Sequence, residues 1–417
     1  MKEKIKEFLK NILIVLLICT LLLLCIAVLP SHTIRSTPWL AQVLQPIAPL
    51  LGLPEAELTY VARADTVTDA AHPVAISIRT GGGRCSIMWD FSRLDRTFSL
   101  FEPLLGQSLS ATSGFNTVTL SQIQTALSAP SVYFRYGSRL PTELLASWVD
   151  AQIQADVPES EICILSAQDE TITVYLLGKE LLAAKTQLSS EELLELMDSF
   201  DPDGSMFAFE AGSSLHALSL LPASTPAVPA ATASNPCDSR YIDALATALG
   251  FNPYGEGRYT DDQGTVLFSE TNASLHITAD GEITYDAERA QFTAGSSKAE
   301  ALAETARRLC DIVTESIPGE GRLYLAEFTR SGQETVCRFE YLVSGIGVAM
   351  SRPAATITFD GLSVRSAIFC VRSFTGSGKV TYPLPVTQAA AVLEEGSHLE
   401  LSYCINADNT LSAGWLR

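Results

Sequence analysis

Four stretches of the 417-residue chain hold residue types that could do chemistry. Asp201-Pro202-Asp203-Gly204 begins like a calcium loop, where alternate carboxylates lead up to a glycine. A third acidic or amide ligand before that glycine is missing, and Gly212 occupies the twelfth position, so a turn after a helix is expected. Gly376-Ser377-Gly378-Lys379 resembles the end of a phosphate-binding loop. However, Ser373 stands at the first glycine and Val380 replaces the magnesium-binding hydroxyl, so a plain loop is expected. Asn272-Ala273-Ser274 is a glycosylation sequon, of little meaning in a bacterial host. Tyr254, Gly255, Gly257, Arg258 and Tyr259, followed by Asp261-Asp262-Gln263-Gly264, form a polar-aromatic stretch. It reads either as a binding surface or as a glycine-rich hairpin connection.

The remaining reactive residues are dispersed. His32, His72, His216, His276 and His398 include no pair close enough in sequence for a metal motif. His276 lies between Leu275 and Ile277, which predicts the outer face of a strand. Of nine cysteines, Cys19 and Cys25 fall in an apolar N-terminal run. The other seven are odd in number and contain no Cys-x-x-Cys. Neither a zinc site nor a disulfide framework is indicated, and buried free thiols are expected, as in Ile162-Cys163-Ile164. No nucleophile has a base beside it in the sequence. No catalytic residue, metal or cofactor is therefore assigned, and a non-enzymatic protein is expected.

The elements that would position these residues read as α+β. Residues 74–79 and 85–89 predict strands around Gly81-Gly82-Gly83. Leu94, Phe98, Phe101 and Leu105 fall at helical spacing. A strand at 132–134, a helix from Thr142 to Trp148 and a hairpin over 162–176 follow. Ser189 with Glu192 predicts a capping box for a helix over 191–200. Residues 221–237, rich in Pro, Ala, Ser and Thr, read as an interdomain linker. Beyond it, helix-plus-strand units recur. A helix after Asp238 leads to strands at 266–268, 275–277 and 283–285. A helix begun by Ser297 and Glu300 leads to strands at 323–328, 336–343, 356–359 and 364–369. A shorter unit, with a helix at 387–393 and strands at 399–405 and 411–416, closes the chain.

At the start, Lys2, Lys4, Lys6 and Lys10 precede residues 12–29, an uncharged apolar run. That run is just long enough for a transmembrane helix of about 20 residues, and the flanking lysines place the N-terminus in the cytoplasm. It is longer than a usual signal-peptide core and no small-x-small cleavage site follows, so an uncleaved anchor is expected. The proposed organisation is a tail and anchor over 1–30, a stem over 31–60, α+β domains over 61–220 and 238–417, and the linker between them. The bulk would stand outside the cell membrane on a single pass. The chain's formal charge of −19 makes nucleic acid a poor partner.

Several stretches resemble the YycH/YycI family of membrane-anchored regulators of the WalK (YycG) sensor kinase in low-GC Gram-positive bacteria. In the first half these are Ser131-Val132-Tyr133-Phe134 running into Leu140-Pro141, and the hairpin over 162–176. In the second half they are residues 258–266, residues 275–285 and residues 339–348, the last similar to the family's strand and "NGIPV"-like turn. The resemblance implies regulation without chemistry: contact with a sensor histidine kinase, and with a paralogous anchored regulator, through both the helix and the ectodomain. Expected partner contacts are Leu17, Thr20, Tyr254, Arg258 and Tyr259. The helix-plus-sheet units also resemble PepSY modules. That implies an alternative, a peptide-binding or protease-inhibiting ectodomain in which a strand edge within 323–343 captures an extended peptide.

Overall fold

Alternating apolar and polar residues dominate the chain from Ala75 onward, and sheets follow from that pattern. The structure is a computed structural model that describes residues 73–416, apart from 154–156, 158, 289 and 290. It is mixed α and β, with large antiparallel sheets and eight helices among the described residues. None of those helices is long and apolar enough to cross a membrane. The expected anchor, with Leu17 and Thr20, lies outside the described residues.

The first half runs β1 (Ala75–Thr80), β2 (Gly83–Met88), α1 (Phe91–Ser110), β3 (Asn116–Thr117), α2 (Leu120–Ser128) and β4 (Ser131–Pro141). It continues with α3 (Thr142–Trp148), β5 (Glu159–Gln168), β6 (Thr171–Leu177), β7 (Leu181–Ser189) and α4 (Glu191–Met197). The seven strands form one sheet in the order β2-β1-β4-β5-β6-β7-β3. Ile76, Ile78, Val132 and Phe134 line one face and bury against Leu94, Phe98, Phe101 and Leu105 of α1. Phe98 and Phe101 meet Phe134 edge-on, at 5.9 and 6.2 Å between ring centres. Asp90 caps α1 by accepting the Arg93 amide at 3.1 Å, a contact worth about 1 kcal/mol. The other face carries Tyr133 and Ile164, covered by α2 through Ile123 and Leu127. The capping box expected for α4 does not form. The helix is capped by Ser190 without a side-chain bond, and Ser189 Oγ instead accepts the Glu191 amide at 3.2 Å.

The second half follows β8 (Met206–Phe207), α5 (Ala208–Ala211), β9 (Leu220–Leu221) and β10 (Val228–Ser234). It contains α6 (Ser239–Ala248), β11 (Arg258–Thr260), β12 (Val266–Ser269), β13 (Ala273–Ile277), β14 (Glu282–Ala287) and α7 (Ala299–Thr314). Next come β15 (Gly321–Ser331), β16 (Glu334–Val343), β17 (Ile346–Ala349), β18 (Ala355–Asp360) and β19 (Ser363–Cys370). The chain ends with β20 (Ser373–Thr381), α8 (Val386–Val392), β21 (Glu400–Ile405) and β22 (Leu411–Leu416). The recurring units share one eleven-stranded sheet, ordered β11-β12-β13-β14-β19-β18-β16-β17-β21-β22, with β15 also on β16. Only the β17–β21 pair among its described pairings is parallel. Helices α6 and α7 lie on one face, packing Leu245, Leu302, Leu309 and Val313 onto Leu275, Tyr285, Ile357 and Phe369. Asp238 caps α6 as expected.

Residues 221–237, read as a linker, are not a free spacer. Their middle is β10, antiparallel to β20, and Val228, Ala231 and Ala233 are buried against a cluster that includes Tyr341, Phe374 and Tyr403. Ala and Val are small enough to alternate inward beneath those rings, and the Tyr403 hydroxyl donates to the Pro229 carbonyl at 2.5 Å. The Gly376–Lys379 stretch, expected as a loop, is part of β20 instead, and Ser377 Oγ donates to the Ala230 carbonyl at 2.9 Å. The two halves also meet at α3 and α7, and their buried apolar residues form one continuous cluster.

All seven cysteines in the described residues are free, and Cys85, Cys163, Cys310, Cys337 and Cys370 are buried. Burial pushes the Cys163 and Cys337 thiols up to about 12 and the half-buried Cys237 up to about 11. Thiolate is the reactive form. An alkylating reagent at neutral pH is therefore expected to modify exposed Cys404 first, and the five buried thiols only after denaturation. Mass spectrometry of labelled peptides checks this, and equal labelling of all seven in the native protein would contradict it.

Candidate binding cleft

The residues singled out by sequence do not converge on one place. Asp203 belongs to a turn: its carboxylate accepts the Ser86 amide at 3.0 Å and the Ser205 amide at 2.8 Å. Those bonds tie residues 203–205 to β2, a structural role. Among the described residues, no group of three or more His, Cys, Asp or Glu could hold a metal ion. His276 lies on the exposed face of β13, as the alternation predicts. His216 and His398, far apart in sequence, stack with ring centres 4.0 Å apart. Burial lowers the pKa of both, reinforced by His398 at His216 and by Arg135 at His398. Both imidazoles are accordingly neutral at pH 7.

Arg258 and Tyr259 lie on the outermost strand of the large sheet, and Tyr254 in the turn before it. Tyr254 is 85% exposed and Tyr259 62%. Arg258 is half-buried. Its guanidinium donates to Asp243 at 2.8 Å and to the Pro253 carbonyl at 3.1 Å, and sits 5.5 Å from the Phe268 ring centre. The stretch expected as a loop thus includes β11, a three-residue edge strand paired only with β12 among the described strands. Arg258 anchors the strand, while the tyrosines are free to be touched.

The strand edge expected within 323–343 falls on β15, which pairs only with β16 among the described strands. β16 is interior, paired with β15 along its length and with β18 and β17 on its other side. The outer side of β15 lies against β4, where Ser138 Oγ hydrogen-bonds to the Ala326 carbonyl. The reason is an irregularity in β4. Its pairing with β5 skips between Arg135 and Leu140, and the released residues arch over β15. Gly137 makes this possible, because a Cβ there would lie 2.3 Å from Tyr324 Cε2.

This crossing bounds a cleft of about 400 Å³, within the range of ligand sites. Cross-strand register builds its floor. Tyr324 lies opposite Glu340, Leu342 opposite Gly347, and Gly347 opposite Ser402, so these side chains share one face across four strands. The opposite wall comes from β4, where Tyr133 and Arg135 point the same way by two-residue alternation. Met88, Trp89, Leu218 and Leu220 complete it. The Tyr324 hydroxyl donates to Glu340 Oε2 at 2.9 Å, and Arg135 Nη1 donates to Glu400 Oε1 at 2.9 Å. Arg352, at the rim, pairs with Glu282. Burial, then the neighbouring Glu340 carboxylate, raises the Tyr324 pKa, so this phenol stays protonated.

One end of the cleft is closed by unusual backbone. Trp89 and Ser344 both have positive φ, 58° and 53°, a conformation rare outside glycine. Gly345, at φ 82°, backs directly onto the Trp89–Asp90 peptide. Trp89 is held from the other side by Trp415, edge-on at 5.8 Å. Sequence reading missed this whole site. Its residues come from strands spread over three hundred positions, and the available signals were alternation within β4 and the register of the β15–β16 hairpin.

Comparison with family models, curated proteins and solved structures finds no match to this chain.

Proposed function

We propose that this chain is a single-pass, membrane-anchored extracytoplasmic protein that works by binding, and that its partner is a sensor histidine kinase of the kind regulated by the YycH/YycI family. The resemblance supports the partner class. The observation that carries the binding reading is the Tyr254–Tyr259 edge. Two exposed tyrosines, Tyr259 on the edge strand and Tyr254 in the turn before it, flank an arginine tied down by Asp243 and Pro253. Such residues give contact area at low entropic cost. The mechanism is a population shift: the regulator contacts one kinase state more favourably than the other, and so biases autophosphorylation. In this reading residues 12–29 form the anchor, with Leu17 and Thr20 facing the kinase helix.

Crosslinking in native membranes tests it. A photoreactive residue is placed at Leu17 and, separately, at Tyr254, and captured partners are identified by mass spectrometry. Recovery of a histidine kinase from either position is expected. Secreted peptides or a protease captured only at Tyr254 would favour the PepSY-like peptide-binding reading instead.

A further inference from the structure

We propose that the cleft between β4 and the β15–β21 face binds a guanidinium on an aliphatic stem, as presented by an arginine residue of an extended partner polypeptide. The charged groups lining the cleft are Arg135, Glu340, Arg352 and Glu400. Arg135 is neutralised by Glu400, and Arg352 by Glu282 beside the rim. Glu340 has a neutral partner, the Tyr324 hydroxyl, which engages Oε2 and leaves Oε1 accepting no hydrogen bond from the described residues. The lining therefore has one carboxylate without a cationic partner, the solvent-exposed Glu340. A cation entering the cleft would meet that carboxylate.

The second observation is independent of that carboxylate. Tyr133 is on the cleft wall, and its hydroxyl, which is not fully enclosed, makes no hydrogen bond within the described residues. Burial of the ring keeps this phenol protonated and able to accept from an N–H donor. The third is shape and surface. Trp89 and Tyr324 offer aromatic faces of the kind guanidinium groups stack on, while Met88, Leu218 and Leu220 suit methylene groups. A guanidinium carries five donors in one plane, enough to reach Glu340 Oε1 and a phenol together. An ammonium lacks the flat face. At the rim, Gly347 leaves the backbone bare, where a peptide main chain can approach closely.

The test is calorimetric titration of the full chain in lipid nanodiscs with three probes: acetyl-Gly-Arg-Gly-amide, the same peptide with citrulline for arginine, and agmatine. Saturable binding of the arginine peptide is expected, with the uncharged citrulline peptide at least tenfold weaker. Agmatine, which has the guanidinium and stem but no main chain, should also be at least tenfold weaker. Glu340→Gln should weaken the arginine peptide at least tenfold with the melting temperature unchanged. Absence of saturable binding, equal affinity for citrulline, or indifference to Glu340→Gln would each overturn the proposal. Agmatine binding as tightly as the peptide would overturn the polypeptide source and leave a free cation as ligand. None of these outcomes depends on the kinase reading, since the crosslinking can fail while the cleft still binds arginine.

Discussion

Arg84→Met is expected to lower the stability of the folded protein by about 3–5 kcal/mol, the usual cost of breaking a buried ion pair from one side. The Arg84 side chain is 1% exposed. Its guanidinium donates to both oxygens of Glu210, at 3.2 and 3.0 Å, to Ser77 Oγ at 3.2 Å and to the Leu127 carbonyl at 2.8 Å. It also lies over the Phe207 ring at 4.3 Å. Methionine fills most of the volume but leaves the Glu210 carboxylate with only the Phe207 amide, at 2.7 Å, and strands the Leu127 carbonyl. Adding Glu210→Leu removes the orphaned charge, and the double variant is expected to recover much of the loss. Urea unfolding of the three proteins gives the comparison. A single-variant loss below about 1 kcal/mol would show that the pair does not fix α5 against the first sheet.

Gly345→Ala is expected to cost about 3 kcal/mol and to disturb the cleft. Two effects add. An L-residue at φ 82° costs roughly 1–2 kcal/mol, and overpacking a tight contact costs a further ~1–3 kcal/mol. The new Cβ would lie 2.9 Å from Asp90 N and equally close to the Trp89 backbone, where no flexible side chain can swing away. Gly361→Ala is the control: its φ is 61°, but the space around it is open, so only the conformational cost should appear. Urea melts should therefore separate the two variants by about 2 kcal/mol. Equal losses would mean that the turn at 344–345 yields without moving Trp89.

Six of the eight described helices and most strands were legible because each is written locally. Leu94, Phe98, Phe101 and Leu105 mark one face of α1, and Asp238 starts α6 as its side chain predicts. β10 was not legible, since a run of Pro, Ala, Ser and Thr has little apolar bulk of its own. It becomes a strand because β20 pairs with it and the rings of Tyr341 and Tyr403 need a cover. β11 was hidden for a related reason: three residues among glycines carry too little alternation to register. Of the sites, the Tyr254–Tyr259 surface could be picked out because its residues adjoin in sequence. The cleft could not. Arg135, Tyr324, Glu340 and Glu400 meet only through the crossing of β4 over β15, which depends on Gly137 and on an irregularity that no spacing announces.

The β10–β20 ribbon sets an order of events during synthesis. The first sheet can close as soon as residues 75–189 exist, because all seven of its strands lie within them. β10 must wait: Ala230 and Ser377, bonded in the finished protein, are separated by 147 positions. Closing a loop of that length costs about 4 kcal/mol of chain entropy, repaid only when Phe374 and Tyr403 arrive to bury Val228 and Ala231. The ribbon is thus the last clasp to fasten. Until the C-terminus has been made, an apolar face of the large sheet stands open to whatever chaperone or neighbouring chain meets it first.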